Sequence, residues 1–243
     1  MIDDQKLGIV VHTIFRKAQT EHTYSNFYCK LCSTIVKIEL QSKGKKAIPS
    51  NLKHCDFRRK LLDYCKDCFE DFFKERDPRK EAEEAGKEID EEEVKEKILR
   101  RKHKLFGNIE FVGELHKEYL LSDSIAKSVF ATLLKPETFT DDTIEAALRF
   151  IEKVGPGIEE RVKSEKKTFT LDDYNKILND FKVALDMTEV KEGCTHLPSN
   201  RIQMLIKNMF ENKEHGWKKT KDKTELKTKE EIERQELKKV EEK

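Results

Sequence analysis

Leu105, Ile109, Val112, Leu115 and Tyr119 fall at offsets of 0, 4, 7, 10 and 14 residues along the segment LFGNIEFVGELHKEYLL, which begins at Leu105. That spacing puts one apolar stripe down one face of a helix. Gly107 and Gly113 lie inside the same segment, although each costs roughly 1 kcal/mol against alanine in a helix interior. A sequence that keeps them there needs close approach of a neighbouring helix. The same period recurs along the chain. Leu7, Val10, Val11, Ile14, Phe15 and Ala18 mark a first helix, and Phe27, Leu31, Ile35 and Ile38 a second. With only 9 Gly and 5 Pro in 243 residues, few turns are available, which favours long helices over many short strands.

The breaks between these segments follow helix-ending chemistry. Residues 41–53, with Gly44 and Pro49, read as a loop, and a third helix runs from about Asp56 with Phe57, Leu61, Leu62, Cys65, Phe69 and Phe72 inward. Asp77-Pro78 ends it, because the residue before proline is pushed away from helical geometry. Residues 79–104 are dominated by charge: Arg79–Lys87 offers almost nothing apolar to bury and reads as a flexible excursion. From about Asp90 a helix runs unbroken into the opening segment, acids first and bases last, as the helix dipole favours.

Ser122 or Asp123 caps a helix carrying Ile125, Val129, Leu133 and Leu134. Thr140 opens the next, with Ile144, Ala147, Leu148, Ile151 and Val154 inward and Gly155-Pro156-Gly157 as its stop. Thr170-x-x-Asp173 is a capping box for Tyr174, Ile177, Leu178, Phe181 and Leu185. Pro198-Ser199-Asn200 opens the last patterned helix, with Ile202, Leu205, Ile206, Met209 and Phe210. The helices thus pair as 3–39, 56–119, 122–154 and 171–210. This predicts an all-α protein, an α-α superhelix of the HEAT kind with about four antiparallel pairs; an irregular helical bundle is the alternative. The domain is expected over 1–217 with a charged insertion at about 75–90, and residues 218–243 form a charged tail, flexible or partly helical.

The formal net charge is only +1, although 40% of residues are charged, so the charge is arranged in blocks. No apolar run has membrane-spanning length and no secretory signal is evident, so a cytoplasmic protein without membrane contact is expected. Cys29-x-x-Cys32 and Cys65-x-x-Cys68 superficially suggest zinc, but 32 residues separate the pairs, against roughly 15–20 in a four-cysteine module. Both pairs sit within amphipathic helical patterns, so they read as reduced core thiols. His54–Cys55 and Cys194–His196 add no spacing that demands a metal, and neither metal nor cofactor is expected. No nucleophile–base arrangement or glycine-rich phosphate loop stands out. Glu110 and Glu114, one turn apart, read as a solvated face; His54, His103 and His116 have no evident acid partners. Nothing supports an enzyme.

Binding is better supported. Lys43, Lys45, Lys46, Lys53, Arg58, Arg59 and Lys60 face the single acid Asp56 over residues 41–60. With Arg100, Arg101, Lys102 and Lys104 they suit a salt-sensitive surface for RNA phosphates. Simple solvation of a charge-rich surface is the competing reading. Without aromatic interleaving, contact would be to the backbone and poorly sequence-specific.

Four motifs in order carry a family resemblance. Gly8–Phe15 with Lys17-Ala18 is similar to a helix ending IFEKA, and Tyr24–Cys32 to FSxxYAxxC. Phe57–Glu70 is similar to FRxxLLxxCQxEFE, and Ser199–Ile206 with Trp217 to SSRIRFMLxDxxxLRxxxW. Together with RR…GNIxFxGEL, they resemble the middle domain of eukaryotic translation initiation factor 4 gamma over about residues 6–217. Related domains occur in nonsense-mediated decay and nuclear cap-binding factors. The resemblance implies a scaffold that binds the DEAD-box RNA helicase of initiation factor 4 by clamping its two lobes, with RNA and other initiation factors as further partners. It places helicase contacts at Arg58 and Arg59 for one lobe and at Asn200 and Arg201 for the other. Trp217 is assigned to the core of the last pair. The family has five helix pairs, and the resemblance starts at the second. Gly155-Pro156-Gly157 stands where relatives have IGKxLD. The cap-binding-protein motif YxxxxLΦ is not evident, so no contact with that protein is expected.

Overall fold

The computed structural model describes residues 4–75, 90–135, 139–164, 169–189 and 196–217. The expected insertion, apart from its edges Glu75 and Asp90, lies outside the described residues, as do the tail 218–243 and Cys194. Among the described residues the secondary structure is eight α-helices and two short 3-10 turns, with no strand. The helices are α1 (Asp4–Thr20), α2 (Ser25–Ser42), α3 (Asp56–Lys74), α4 (Glu91–Lys117), α5 (Asp123–Leu133), α6 (Asp141–Lys163), α7 (Leu171–Leu185) and α8 (Asn200–Glu214). They follow the predicted pairing and form a helical-repeat array.

Two layers arise from the packing. The even helices lie side by side in the order α2, α4, α6, α8, and α1 packs on both α3 and α4. The ends are chemically sealed: Asp90 caps α4 through its Oδ1, and capping boxes at Thr140/Thr143 and Thr170/Asp173 start α6 and α7. α4 is the centre. From Leu105 to His116 every residue except Glu110 is buried, so the single apolar stripe of the sequence becomes a helix enclosed on all sides. Gly113 is what admits α6: a Cβ there would stand 3.0 Å from the Cβ of Lys153. Asn108 ties α4 to α3 by donating to the Cys65 carbonyl at 3.2 Å.

Several readings are corrected. On α2 two apolar stripes interleave, and periodicity alone does not choose between them. Cys29, Cys32, Val36 and Leu40 are buried, while Phe27 and Ile38 are 65% and 60% exposed and Leu31 also faces outward. The thiols win because they are small enough for the crowded meeting of α2 with α4. Gly155-Pro156-Gly157 does not stop α6, which continues to Lys163. Pro156 is exposed, and buried Val154, Gly155 and Ile158 on the inner face hold the helix through it. Tyr119 lies beyond α4, not on its stripe. It adopts φ 59° in a Schellman turn in which Leu120 N–H donates to the Leu115 carbonyl and Tyr119 N–H to that of His116. Glu114 is buried, not solvated, and bonds Lys153 at 2.7 Å and Lys117 at 3.0 Å. His116 does have an acid partner, Asp123 at 2.9 Å.

Trp217 is a packing residue, as expected, although its indole lies on α6 of the preceding pair. α8 ends in a second Schellman turn with Gly216 at φ 68°, and the turn folds Trp217 back onto α6. A Cβ on Gly155 would lie 2.6 Å from the indole. Gly155→Ala therefore displaces the only tryptophan. We expect a net loss of about 1 kcal/mol after the helix-propensity gain, roughly 2–4 °C in Tm, with red-shifted tryptophan emission as the direct readout.

The His116–Asp123 pair, joined by Arg161 from α6, fastens α4, α5 and α6 together. Burial lowers the His116 pKa, against the opposing hydrogen bond to Asp123, and the Arg161 charge lowers it further. A histidine depressed in the fold binds more protons when unfolded, so its contribution is complete above the ordinary pKa of 6.5 and is lost as pH falls below it. The denaturation midpoint should fall from pH 7 to pH 5, and His116→Asn should flatten that fall.

Candidate protein and nucleic-acid interface

The basic residues picked out by the sequence are divided by the fold into charges used internally and charges left at the surface. At the α2–α3 junction, Glu39 reaches from α2 to the start of α3. Its carboxylate accepts from the Asp56 and Phe57 amides at 2.7 and 3.0 Å, from Cys55 Sγ and from Lys43 Nζ. An anion at a helix N-terminus is stabilised by the unpaired amides and the dipole. Burial alone would raise the Glu39 pKa, but the bonds from Cys55, Lys43 and the two amides hold it at about 2. Lys43 is bound three ways, to Glu39, Asp56 and the His54 carbonyl. Its charge belongs to this junction.

Lys45, Lys46 and Lys53 stay at the surface beside it, with no carboxylate partner among the described residues. Their field is felt by His54, whose pKa is lowered first by desolvation and then by Lys45, Lys53 and Lys43. Arg58 is half-buried and donates from Nε to the Leu120 carbonyl at 2.6 Å, clasping the end of α4. Arg59 is exposed and makes a 2.7 Å contact with Asp56 one turn back, its only ion pair among the described residues.

The run at 100–104 points in different directions. Arg100 is exposed and pairs with Glu96. Arg101 turns to α3, donating to the Phe72 carbonyl at 2.7 Å with its guanidinium 4.4 Å above the Phe72 ring. Lys102 turns to α6 and bridges Asp142 and Glu145 at 2.7 and 3.3 Å. Lys104 is exposed and has no carboxylate partner among the described residues. With Arg101 it lines a cleft of about 270 Å³ together with Arg16, Tyr64 and Phe72. Sequence reasoning missed Arg16 and the aromatic wall. The only signal was that Arg16 lies off the apolar positions of α1.

At the far end, Asn200 begins α8 and is exposed. Arg201 pairs with buried Glu145, which Arg149 and Lys102 also hold. Met204, one turn on from Asn200 and 56% exposed, joins the patch and was not anticipated; its place in the MLI run looks like core. The Arg58/Arg59 and Asn200/Arg201 pairs do not converge. Arg58 bonds the end of α4, whereas Arg201 bonds the first turns of α6. Since α6 runs with α4, the two sites lie on opposite edges of the array, at opposite ends of its helices.

The sequence matches the MIF4G domain over residues 1–216. The chain belongs to the MIF4G family. This MIF4G chain is 24% identical to eukaryotic translation initiation factor 4 gamma 1 of Mus musculus over 224 residues, covering 88% of the chain and 12% of the relative. It is 28% identical to the human 4 gamma 3 protein over 225 residues, covering 88% and 13%. Against the human 4 gamma 2 protein the identity is 30% over 216 residues, covering 86% and 22%. The chain thus spans between about an eighth and a fifth of these relatives' length. No helix among the described residues is long and apolar enough to cross a membrane.

Thiols of both CxxC pairs meet near α4 and remain free. Burial pushes Cys32 up to about 12 and Cys65 well above its usual range. Among the described residues, no group of three or more metal-ligating side chains is placed to hold an ion.

Glu145 shows the cost of the internal charges. Burial would raise its pKa, but bonds from Arg201 and Arg149 and the Lys102 charge hold it low. Removing it takes a carboxylate from three cations, of which Lys102 keeps Asp142 and Arg149 keeps Glu110. Glu145→Ala should cost about 2 kcal/mol, less than the roughly 3–5 kcal/mol of a fully buried broken pair because its cations stay partly hydrated. Urea denaturation measures this directly.

Proposed function

We propose that this MIF4G chain serves in translation initiation as a cytoplasmic scaffold that binds the DEAD-box RNA helicase of initiation factor 4 and stimulates its cycle. The observation that supports this most is the similarity to three initiation factor 4 gamma proteins along nearly the whole chain, through the segments that bear Arg58, Arg59, Asn200 and Arg201. The proposed mechanism is differential binding: a scaffold that prefers one arrangement of the helicase lobes shifts the helicase toward it without performing chemistry. Contacts at opposite edges of the array suit a partner made of two lobes joined by a flexible link. Of the four residues, Arg59 and Asn200 are the more available, because Arg58 and Arg201 also hold the fold. Other initiation factors are further proposed partners.

RNA contact accompanies this role, carried by Lys45 and Lys46 with Lys53, by Lys104 and Arg101 at the Arg16 cleft, which Asp71 and Glu75 also line, and by Arg100 outside it. Lys43 and Lys102 contribute to the field without offering a free charge. Tyr64 and Phe72 add aromatic surface that the sequence did not reveal, yet both are packed, so backbone contact still dominates.

A helicase ATPase assay with a pull-down tests the reading. Arg59→Glu and Asn200→Glu should each weaken stimulation roughly three- to tenfold, as losses of rim charge or contact do, with unchanged melting. Absence of any helicase binding would overturn it and leave the second reading, an RNA-binding adaptor of mRNA decay, cap-binding or splicing complexes. In that case RNA binding persists alone. For the RNA contact, joint replacement of Lys45, Lys46 and Lys53 by glutamate should make the slope of log affinity against log salt shallower by roughly 2, from about 0.7 per lost phosphate contact.

A further inference from the structure

α2 has two faces, and only one of them is covered. Cys29, Cys32, Val36 and Leu40 turn inward. Tyr24, Phe27, Leu31, Thr34, Ile38 and Gln41 turn outward and are all exposed, Tyr24, Phe27 and Ile38 by 60%, 65% and 60%. Their spacing alternates between three and four residues, which makes them the a and d positions of a heptad seam. α2 is the edge of the even layer, whose order is α2, α4, α6, α8, so this seam is presented where the layer ends. An apolar stripe of this kind at a surface marks an interaction site.

The charge beside the seam is of one sign. Lys30 and Lys37 directly precede Leu31 and Ile38 and so fill both g positions. Both are exposed, and neither pairs with a carboxylate among the described residues. Glu39, the one acid between Tyr24 and Gln41, is engaged at the α2–α3 junction by the Asp56 and Phe57 amides and Lys43. On the other flank, Tyr28 and Ile35 at the e positions are packed against the core. The backbone of α2 is already paired, so no strand edge is offered, and a heptad seam selects a helix.

The flanking charges select which helix. In a second copy packed antiparallel, the g positions would meet and oppose lysine to lysine; packed parallel, the lysines would meet Tyr28 and Ile35, which offer no charge. Residues 218–243 follow Trp217, which packs on α6, two places along the layer. Residues 76–89 carry acids, but their apolar side chains are Ala82, Ala85 and Ile89, too little surface to cover Phe27, Leu31 and Ile38.

We propose that the outer face of α2 docks one helix of a partner protein, with an apolar heptad seam and acidic residues where it meets Lys30 and Lys37. From Tyr24 to Gln41 the face is about 25 Å long at 1.5 Å per residue, room for about five turns. None of Arg58, Arg59, Asn200 and Arg201 lies on α2, so the assignment is independent of the helicase reading.

A synthetic peptide with leucine at a and d and glutamate at e and g meets the lysines in either direction, and its own acids keep it from self-pairing. Titrated into the methyl-labelled full chain, it should shift Leu31, Thr34 and Ile38. Ile38→Glu should weaken it about tenfold or more, as loss of a buried anchor does. Should that variant fail to fold by circular dichroism, Thr34→Glu replaces it. Joint replacement of Lys30 and Lys37 by glutamate should weaken the peptide roughly threefold and strengthen one that carries lysine at e and g, a reversal that unspecific apolar adhesion does not give. Shifts confined to other methyls, undiminished binding by the folded seam variant, or equal binding of both peptides by the unaltered chain would each overturn the proposal. So would other occupants: a concentration-dependent dimer abolished by Ile38→Glu, cross-links from Lys30 or Lys37 to residues 76–89 or 218–243 that the same variant removes, or an RNA oligonucleotide that shifts these methyls when the peptide does not.

Discussion

The fold depends on the enclosure of α4. A helix surrounded by α1, α2, α3 and α6 leaves only Glu110 half-exposed over Leu105–His116, so its polar groups look for partners inside the protein, and among them the Asn108 Oδ1 is left without one among the described residues. Glu114 finds Lys153 and Lys117, His116 finds Asp123, and Asn108 finds a backbone carbonyl. Each partner comes from a different place along the chain. The polar groups of α4 thus specify which helix lies on which side, while the apolar residues supply the bulk driving force of about 1.5–3 kcal/mol per buried large side chain. Gly113 sets the closest approach, and α6 is the helix that uses it.

The same enclosure explains why a basic sequence run does not become a basic patch. Consecutive residues on a helix point about 100° apart, so Arg100, Arg101 and Lys102 face three directions around α4, with Lys104 one turn on from Arg100 and near its face. Two of those directions meet neighbouring helices, and the charges there are absorbed by Phe72, Glu75, Asp142 and Glu145. At the α2–α3 junction Lys45 and Lys46 lie in an irregular connection and Lys53 in the short 3-10 turn Pro49–His54 after it, and all three stay clear of carboxylates among the described residues. A surface for a polyanion is therefore better sought in loops than in helical charge runs of an array like this.

Helix order, pairing and nearly all boundaries were legible in the residues, because the apolar period and the caps at Asp90, Thr140 and Thr170 are local signals. What was not legible depended on neighbours. α2 carries two usable stripes, and only the presence of α4 decides that the cysteines go inside. Gly155-Pro156-Gly157 reads locally as a stop, yet burial of Ile158 and the return of Trp217 keep α6 intact beyond it. For the candidate contacts, the sequence picked residues of suitable chemistry but had no means of telling Arg59, which is free to meet a partner, from Arg58, which holds the end of α4. Met204 was invisible for the opposite reason: an apolar residue in an apolar run gives no sign that it faces out.

The two layers also respond differently to the same packing demand. The even helices close ranks because glycine and short contacts at α4–α6 and α6–α8 allow it. In the odd layer, Phe69 and Phe73 on α3 and Ile125 on α5 are too large to interdigitate once α4 has fixed the spacing below them. Gly113 and Gly155 admit Lys153 and the returning Trp217 at close range in the even layer, whereas large side chains line an opening of about 740 Å³ between α3 and α5 in the odd one, so the placement of small and large residues along each helix decides which neighbours close and which stay apart.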